Sequence, residues 1–101
     1  MVPAIARTRA TEGVAEQVAR MFYTYVLENL SSPGQRYIGH TEDLRKRLEQ
    51  HNAGRSPHTA KHMPWKIKFY AAFESLEIAR DFERYLKSGS GHAFAQRHLG
   101  W

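Results

Sequence analysis

The chain has 101 residues, enough for one hydrophobic core and too few for two. It has no cysteine, which excludes disulfides and thiolate metal sites, and no apolar run nears the roughly 20 residues of a membrane span. Fifteen basic residues against ten acidic give a net charge of +5, a balance that favours a polyanionic partner, nucleic acid before anionic membrane. The lack of cysteine and of a signal-peptide core near the start fits a reducing, cytoplasmic setting.

Residues 1–21 differ from the rest, with no aromatic residue and none of the six histidines. Val14 and Val18 are spaced i, i+4 and predict a short helix over about Thr11–Arg20. The segment reads as an appendage, either a loosely docked helix or a disordered arm, ahead of a domain over 22–101. Met21 offers an alternative start of translation.

FYTYVL (22–27) is aromatic and β-branched and predicts a strand, followed by Pro-Gly turn chemistry in ENLSSPG. QRYIGH (35–40) predicts the returning strand of an antiparallel hairpin. Thr41 is placed as an N-cap, with Glu42 and Asp43 in the first turn of a helix running to about Asn52. RSPHTAKHMP (55–64) reads as a polar loop and WKIKFYAAFE (65–74) as a third strand. Ser75 caps a second long helix, 76–88, which Gly89 and Gly91 break before a short final helix over 92–100. The order β-β-α-β-α-α lacks strict βαβ alternation and predicts an α+β domain. Its expected architecture is a small three-stranded, mainly antiparallel sheet flanked by helices.

On a wheel of the first long helix, with Leu44 at zero, Leu48 falls near about 40°, Arg47 near about 300° and His51 near about 340°. Arg47 and His51 therefore flank the leucine stripe and face the sheet or the seam between helix and sheet, where an unpartnered guanidinium is costly to bury. Two readings stand: Arg47 pairs with Asp43 or extends past the leucines, or it carries chemistry. On the second helix Glu83 lies at the margin of the arc formed by Leu76, Ile78, Ala79, Phe82, Tyr85 and Leu86. It is a metal ligand, a partner for Arg47 or an ordinary boundary residue. Tyr23 and Tyr25 share one face of their strand, and Tyr37 lies on the paired strand. Taken singly they are plain strand formers. If two phenols, an Arg, a His and a Glu converge, they suit phosphodiester hydrolysis. His58 and His62 have a zinc-pair spacing without a second pair, so a solvated loop is the simpler reading. Gly89-Ser90-Gly91 is either a phosphate-binding helix start or a connector, and Trp65 is read as a core anchor rather than a stacking platform.

At these residues the chain resembles the GIY-YIG endonucleases, above all the small stand-alone members akin to the N-terminal domain of bacterial excinuclease. The resemblance covers about 22–98. Tyr37-Ile38-Gly39 stands intact, and the first motif survives as Tyr23-Thr24-Tyr25 without its Gly and Ile. Arg47 lies ten residues after Tyr37, His51 four further on, and ARDFERYL supplies Ala79, Glu83 and Leu86. LKSGSGHAF (86–94) is similar to the stand-alone branch. The family's late Asn has no match, a role left empty or taken by Lys87 or His92.

The resemblance implies a metal-dependent endonuclease-like domain acting on DNA, in repair or recombination. Tyr25 would be the general base, with Tyr37 beside it, His51 assisting at the rim and Arg47 on the phosphate. Glu83 would hold one Mg²⁺ or Mn²⁺. Arg45, Lys46, Lys87 and His92 are the candidate nucleic-acid contacts. The rivals are a non-catalytic nucleic-acid-binding module of the same fold and a nuclease that a partner protein targets.

Overall fold

The computed structural model describes residues 9–101. Of the N-terminal appendage, residues 1–8 lie outside the described residues. Its remainder forms α1 (Arg9–Ala19), on which Val14 and Val18 are exposed. The Tyr23 hydroxyl donates to the Val18 carbonyl at 3.2 Å where the chain enters the sheet.

Three antiparallel strands, β1 (Phe22–Asn29), β2 (Arg36–Thr41) and β3 (Trp65–Phe73), form a sheet of order β2-β1-β3. Helix α2 (Leu44–Asn52) follows β2, while α3 (Leu76–Leu86) and α4 (Gly89–His98) follow β3. This is the expected α+β order. No helix among the described residues is long and apolar enough to cross a membrane.

Central β1 is buried from Thr24 to Asn29, as a strand covered on both faces must be. Alternation sends Tyr23, Tyr25 and Leu27 to one face and Thr24, Val26 and Glu28 to the other. On the first face Tyr25, Leu27 and Trp65 form a core against Leu44 and Leu48 of α2, with Tyr37 and Ile67. Trp65 is buried, and its indole N–H donates to the Thr59 carbonyl at 2.9 Å, in keeping with its reading as an anchor. On the second face the buried Thr24 hydroxyl donates to the Ala79 carbonyl at 2.6 Å, pinning α3 to β1. Phe82 of α3 packs on Phe69 and Phe73 of β3 and on Phe94 of α4.

Two local expectations change. Strand β2 continues through Thr41, so Asp43 caps α2, its carboxylate accepting from the Lys46 N–H at 3.1 Å. Thr41 instead braces the turn, its hydroxyl accepting from the Asp43 N–H at 3.1 Å. Gly89-Ser90-Gly91 is neither breaker nor connector but the first turn of α4, capped by the Ser88 hydroxyl. A Cβ on Gly91 would lie 1.8 Å from the Tyr85 carbonyl oxygen, so only glycine lets α4 start this close to the end of α3.

Candidate active site

The register places Tyr25 of β1 opposite Gly39 of β2. The Tyr25 ring occupies the space a side chain at 39 would take: a Cβ there would lie 2.7 Å from the phenol oxygen and 2.8 Å from Cζ. The glycine of the YIG triplet is therefore the seat of the Tyr25 phenol. Gly39→Ala is expected to destabilise the fold by about 1–3 kcal/mol, because ring or strand must shift. In a Tyr25→Ala background most of that added loss should vanish. Urea unfolding of the double-mutant cycle checks this, and additive effects would show that the ring is not what the methyl meets.

A line of hydrogen bonds runs inward from this seat. The Arg47 Nε–H donates to the Tyr25 oxygen at 3.3 Å, and its NH1 donates to Gln50 at 3.0 Å. Arg47 thus pairs with Tyr25 and Gln50, while Asp43 serves as the helix cap. Tyr25 Oη lies 2.8 Å from His51 Nε2, and His51 Nδ1 lies 2.6 Å from the Thr59 hydroxyl. His51 is wholly buried, so it sits beneath the cleft floor and not at the expected rim. Burial pushes the Tyr25 phenol up to about 12, and the Arg47 hydrogen bond and charge offset this only in part. Burial, helped by the Arg47 charge, pushes His51 down to about 4, so the imidazole is neutral at pH 7.

Glu83 approaches from the other side. Thr24 and the fully buried Ala79 hold α3 close on β1, and one turn later Glu83 reaches the edge of β2. Its Oε1 lies 2.5 Å from His40 Nδ1, and its Oε2 accepts from Lys87 at 2.7 Å. Burial opposes ionisation of this carboxyl, but the hydrogen bonds and charges of Lys87 and His40 outweigh it and hold its pKa below the ordinary range. Helices α2 and α3 cover opposite faces of the sheet. Arg47 and Glu83 therefore approach from opposite faces and meet around the free edge of β2. There Tyr25, Tyr37, Gly39, His40, Arg47 and Glu83 line one cleft of about 330 Å³.

The other named residues lie outside this cleft. Arg45 and Lys46 are exposed on α2, where Lys46 borders a separate depression with Gln50 and Arg55. Lys87 borders an adjoining depression with Arg80 and Arg84. His92, on α4, packs against Trp101 with ring centroids 5.7 Å apart. His58 and His62 are exposed, and no three His, Cys, Asp or Glu side chains among the described residues could together hold a metal ion. Two participants escaped the sequence reading. His40 had a signal: it follows Gly39, so alternation sends it to the face of α3. Thr59 had none, since it lies in a loop without periodicity.

One ionised carboxylate in an open cleft fits a cation that completes its shell with water and phosphate oxygens, as Mg²⁺ commonly does. It does not fit a cation caged by protein alone.

The domain is thus a small α+β sheet that joins phenols and an arginine on one face to a carboxylate on the other, around a strand edge. The GIY-YIG catalytic domain matches residues 21–95, and the chain belongs to this family. It is 39% identical over 66 residues to a UPF0213 protein of Streptococcus pyogenes serotype M3 (strain ATCC BAA-595 / MGAS315), a match covering 64% of this chain and 70% of the relative. UPF0213 proteins of Streptococcus pyogenes serotype M1 and of serotype M4 (strain MGAS10750) match with the same identity and coverage.

Proposed function

We propose that the protein is a divalent-metal-dependent endonuclease that hydrolyses DNA phosphodiester bonds, in repair or recombination. What supports this is one cleft in which a phenol backed by a neutral histidine, a guanidinium and an ionised carboxylate face the same space. Arg47 neutralises the charge that builds on the phosphoryl oxygens. Tyr25 holds the attacking water and takes its proton while passing its own to His51, a relay that needs no ionised phenol at pH 7. Tyr37 lines the cleft and keeps the nucleophile in place. Glu83 would hold the cation, which when bound supplies charge stabilisation at the phosphate. Lys87, with Arg80 and Arg84 in the adjoining depression, lies where a flanking phosphate would pass.

One observation favours a second reading, a nucleic-acid-binding module without catalysis. Both Glu83 oxygens are engaged by His40 and Lys87, and a cation must compete with them. Incubation with labelled single-stranded, duplex and branched DNA and RNA, with Mg²⁺, Mn²⁺ or EDTA, separates the two. Metal-dependent cleavage is expected, with binding that weakens steeply as salt rises because phosphate contacts dominate. Tight, salt-sensitive binding without cleavage of any substrate would favour the module.

A further inference from the structure

We infer that Thr59 is a positioning residue: it holds His51 as the Nδ1–H tautomer, so that Nε2 stays the acceptor for the Tyr25 proton. The inference rests on the reading of Tyr25 as the group that takes the proton of water.

Chemistry fixes the two ends of the line. Arg47 at its outer end can only donate, and the Ser56 carbonyl at its inner end can only accept. Between them Tyr25, His51 and Thr59 each have a hydrogen to give and a lone pair to offer. Thr59 lies within reach of both neighbours, 2.6 Å from His51 Nδ1 and 3.5 Å from the Ser56 carbonyl. With the hydrogens running inward, Arg47 donates to Tyr25, Tyr25 to His51 Nε2, His51 Nδ1–H to Thr59, and Thr59 to Ser56. The phenol oxygen then keeps one lone pair free toward the cleft. With the middle of the line reversed, the Arg47 and His51 N–H groups fill both lone pairs of that oxygen. The Tyr25 hydrogen then points into the cleft, and the phenol cannot accept a proton from water.

The surroundings of Thr59 fix it in this task. Its side chain is wholly buried, as is the His51 ring. Its N–H donates to the Ser56 carbonyl at 3.2 Å, and its own carbonyl accepts the Trp65 indole N–H at 2.9 Å. The loop over 55–64 thus delivers one hydroxyl to the inner side of the imidazole, and the core tryptophan holds the loop there. During hydrolysis the water O–H breaks and its proton joins Tyr25 Oη. The former Tyr25 proton joins His51 Nε2 as the new P–O bond forms. The leaving oxygen parts from phosphorus and takes a proton from solvent. Nδ1–H stays on Thr59 throughout, so the imidazolium is hydrogen-bonded at both nitrogens.

The test is long-range ¹H–¹⁵N NMR of the histidine-labelled full chain at neutral pH, joined to cleavage kinetics. Wild-type His51 is expected as Nδ1–H with an unprotonated Nε2. Thr59→Val replaces the hydroxyl by a methyl of similar size and should shift the ring toward Nε2–H, whereas Thr59→Ser should retain the wild-type pattern. The Val variant should lose about 10²-fold in kcat with little change in KM, and the Ser variant should recover most of it. An Nε2–H ring in the wild type, or a tautomer indifferent to Thr59→Val, overturns the inference. Should Thr59→Val fail to fold, the wild-type tautomer and the Ser variant still decide. A chain that cleaves nothing but shows the expected tautomers leaves the positioning role standing and removes the proposed reaction.

Discussion

Replacing Glu83 by Gln is expected to reduce cleavage by orders of magnitude while leaving the fold and metal-free DNA binding intact. The amide keeps the size of the side chain and can still meet His40 and Lys87. It loses the charge that draws a cation to the cleft. A metal can supply several kcal/mol of transition-state stabilisation, and each 1.36 kcal/mol is about tenfold in rate. Binding without metal should persist or tighten, because one negative charge beside the phosphate is gone and Lys87 is released from its 2.7 Å ion pair. Arg47→Ala should differ: it removes a phosphate partner and the donor to Tyr25, so both rate and affinity should fall. Single-turnover cleavage and mobility-shift titrations in EDTA read the two effects apart. Cleavage indifferent to Glu83→Gln would remove the metal site. A wild type without cleavage, and variants that bind as it does, would leave the binding module in place of the enzyme.

Much of this arrangement is legible in local pattern because local pattern encodes direction. The alternation of β1 sends Tyr23, Tyr25 and Leu27 to one side, and the wheel of α2 puts Arg47 and His51 at the seam with the sheet. What a wheel omits is depth. His51 is buried because α2 lies over Tyr25 and because Thr59 closes the inner side, and the path of the 55–64 loop leaves no periodic trace. The His40–Glu83 contact joins residues 43 positions apart, on a strand and a helix whose adjacency depends on Thr24 bonding Ala79. Cap assignments failed for a simpler reason. Thr41 and Asp43 are both good cap residues two positions apart, and the length of β2 chooses between them. Gly89 and Gly91 signal a break by composition, but Gly91 answers a close approach of backbone that only the packed helices reveal.

Stability should fall as pH drops from about 6.5 to about 4, and His51 should be a principal cause. Its pKa is lowered from 6.5 to about 4 by burial and the Arg47 charge, so the unfolded chain binds a proton in this window that the folded chain refuses. Stability rises with pH wherever the unfolded state holds more protons. The contribution is thus complete above the unfolded pKa and is lost as pH falls to the folded one. Its upper bound is about 3 kcal/mol, at 1.36 kcal/mol per pKa unit. The structure shows what protonation would break. A protonated ring donates from both nitrogens, so the Tyr25 hydrogen could no longer point at Nε2 and would have to turn into the cleft. A second positive charge would also lie buried beside the guanidinium. Glu83, its pKa held below the ordinary carboxylate range, loses its stabilising pairs on further acidification, so total stability keeps falling at the acid end. The difference between wild type and His51→Gln isolates the imidazole, since the amide binds no proton. Urea unfolding at pH 7, 6, 5 and 4.5 should show the wild type losing stability more steeply than His51→Gln, the two curves converging toward pH 4. Parallel curves would mean that the buried imidazole takes up its proton without resistance and that His51 is not what makes stability fall with acid.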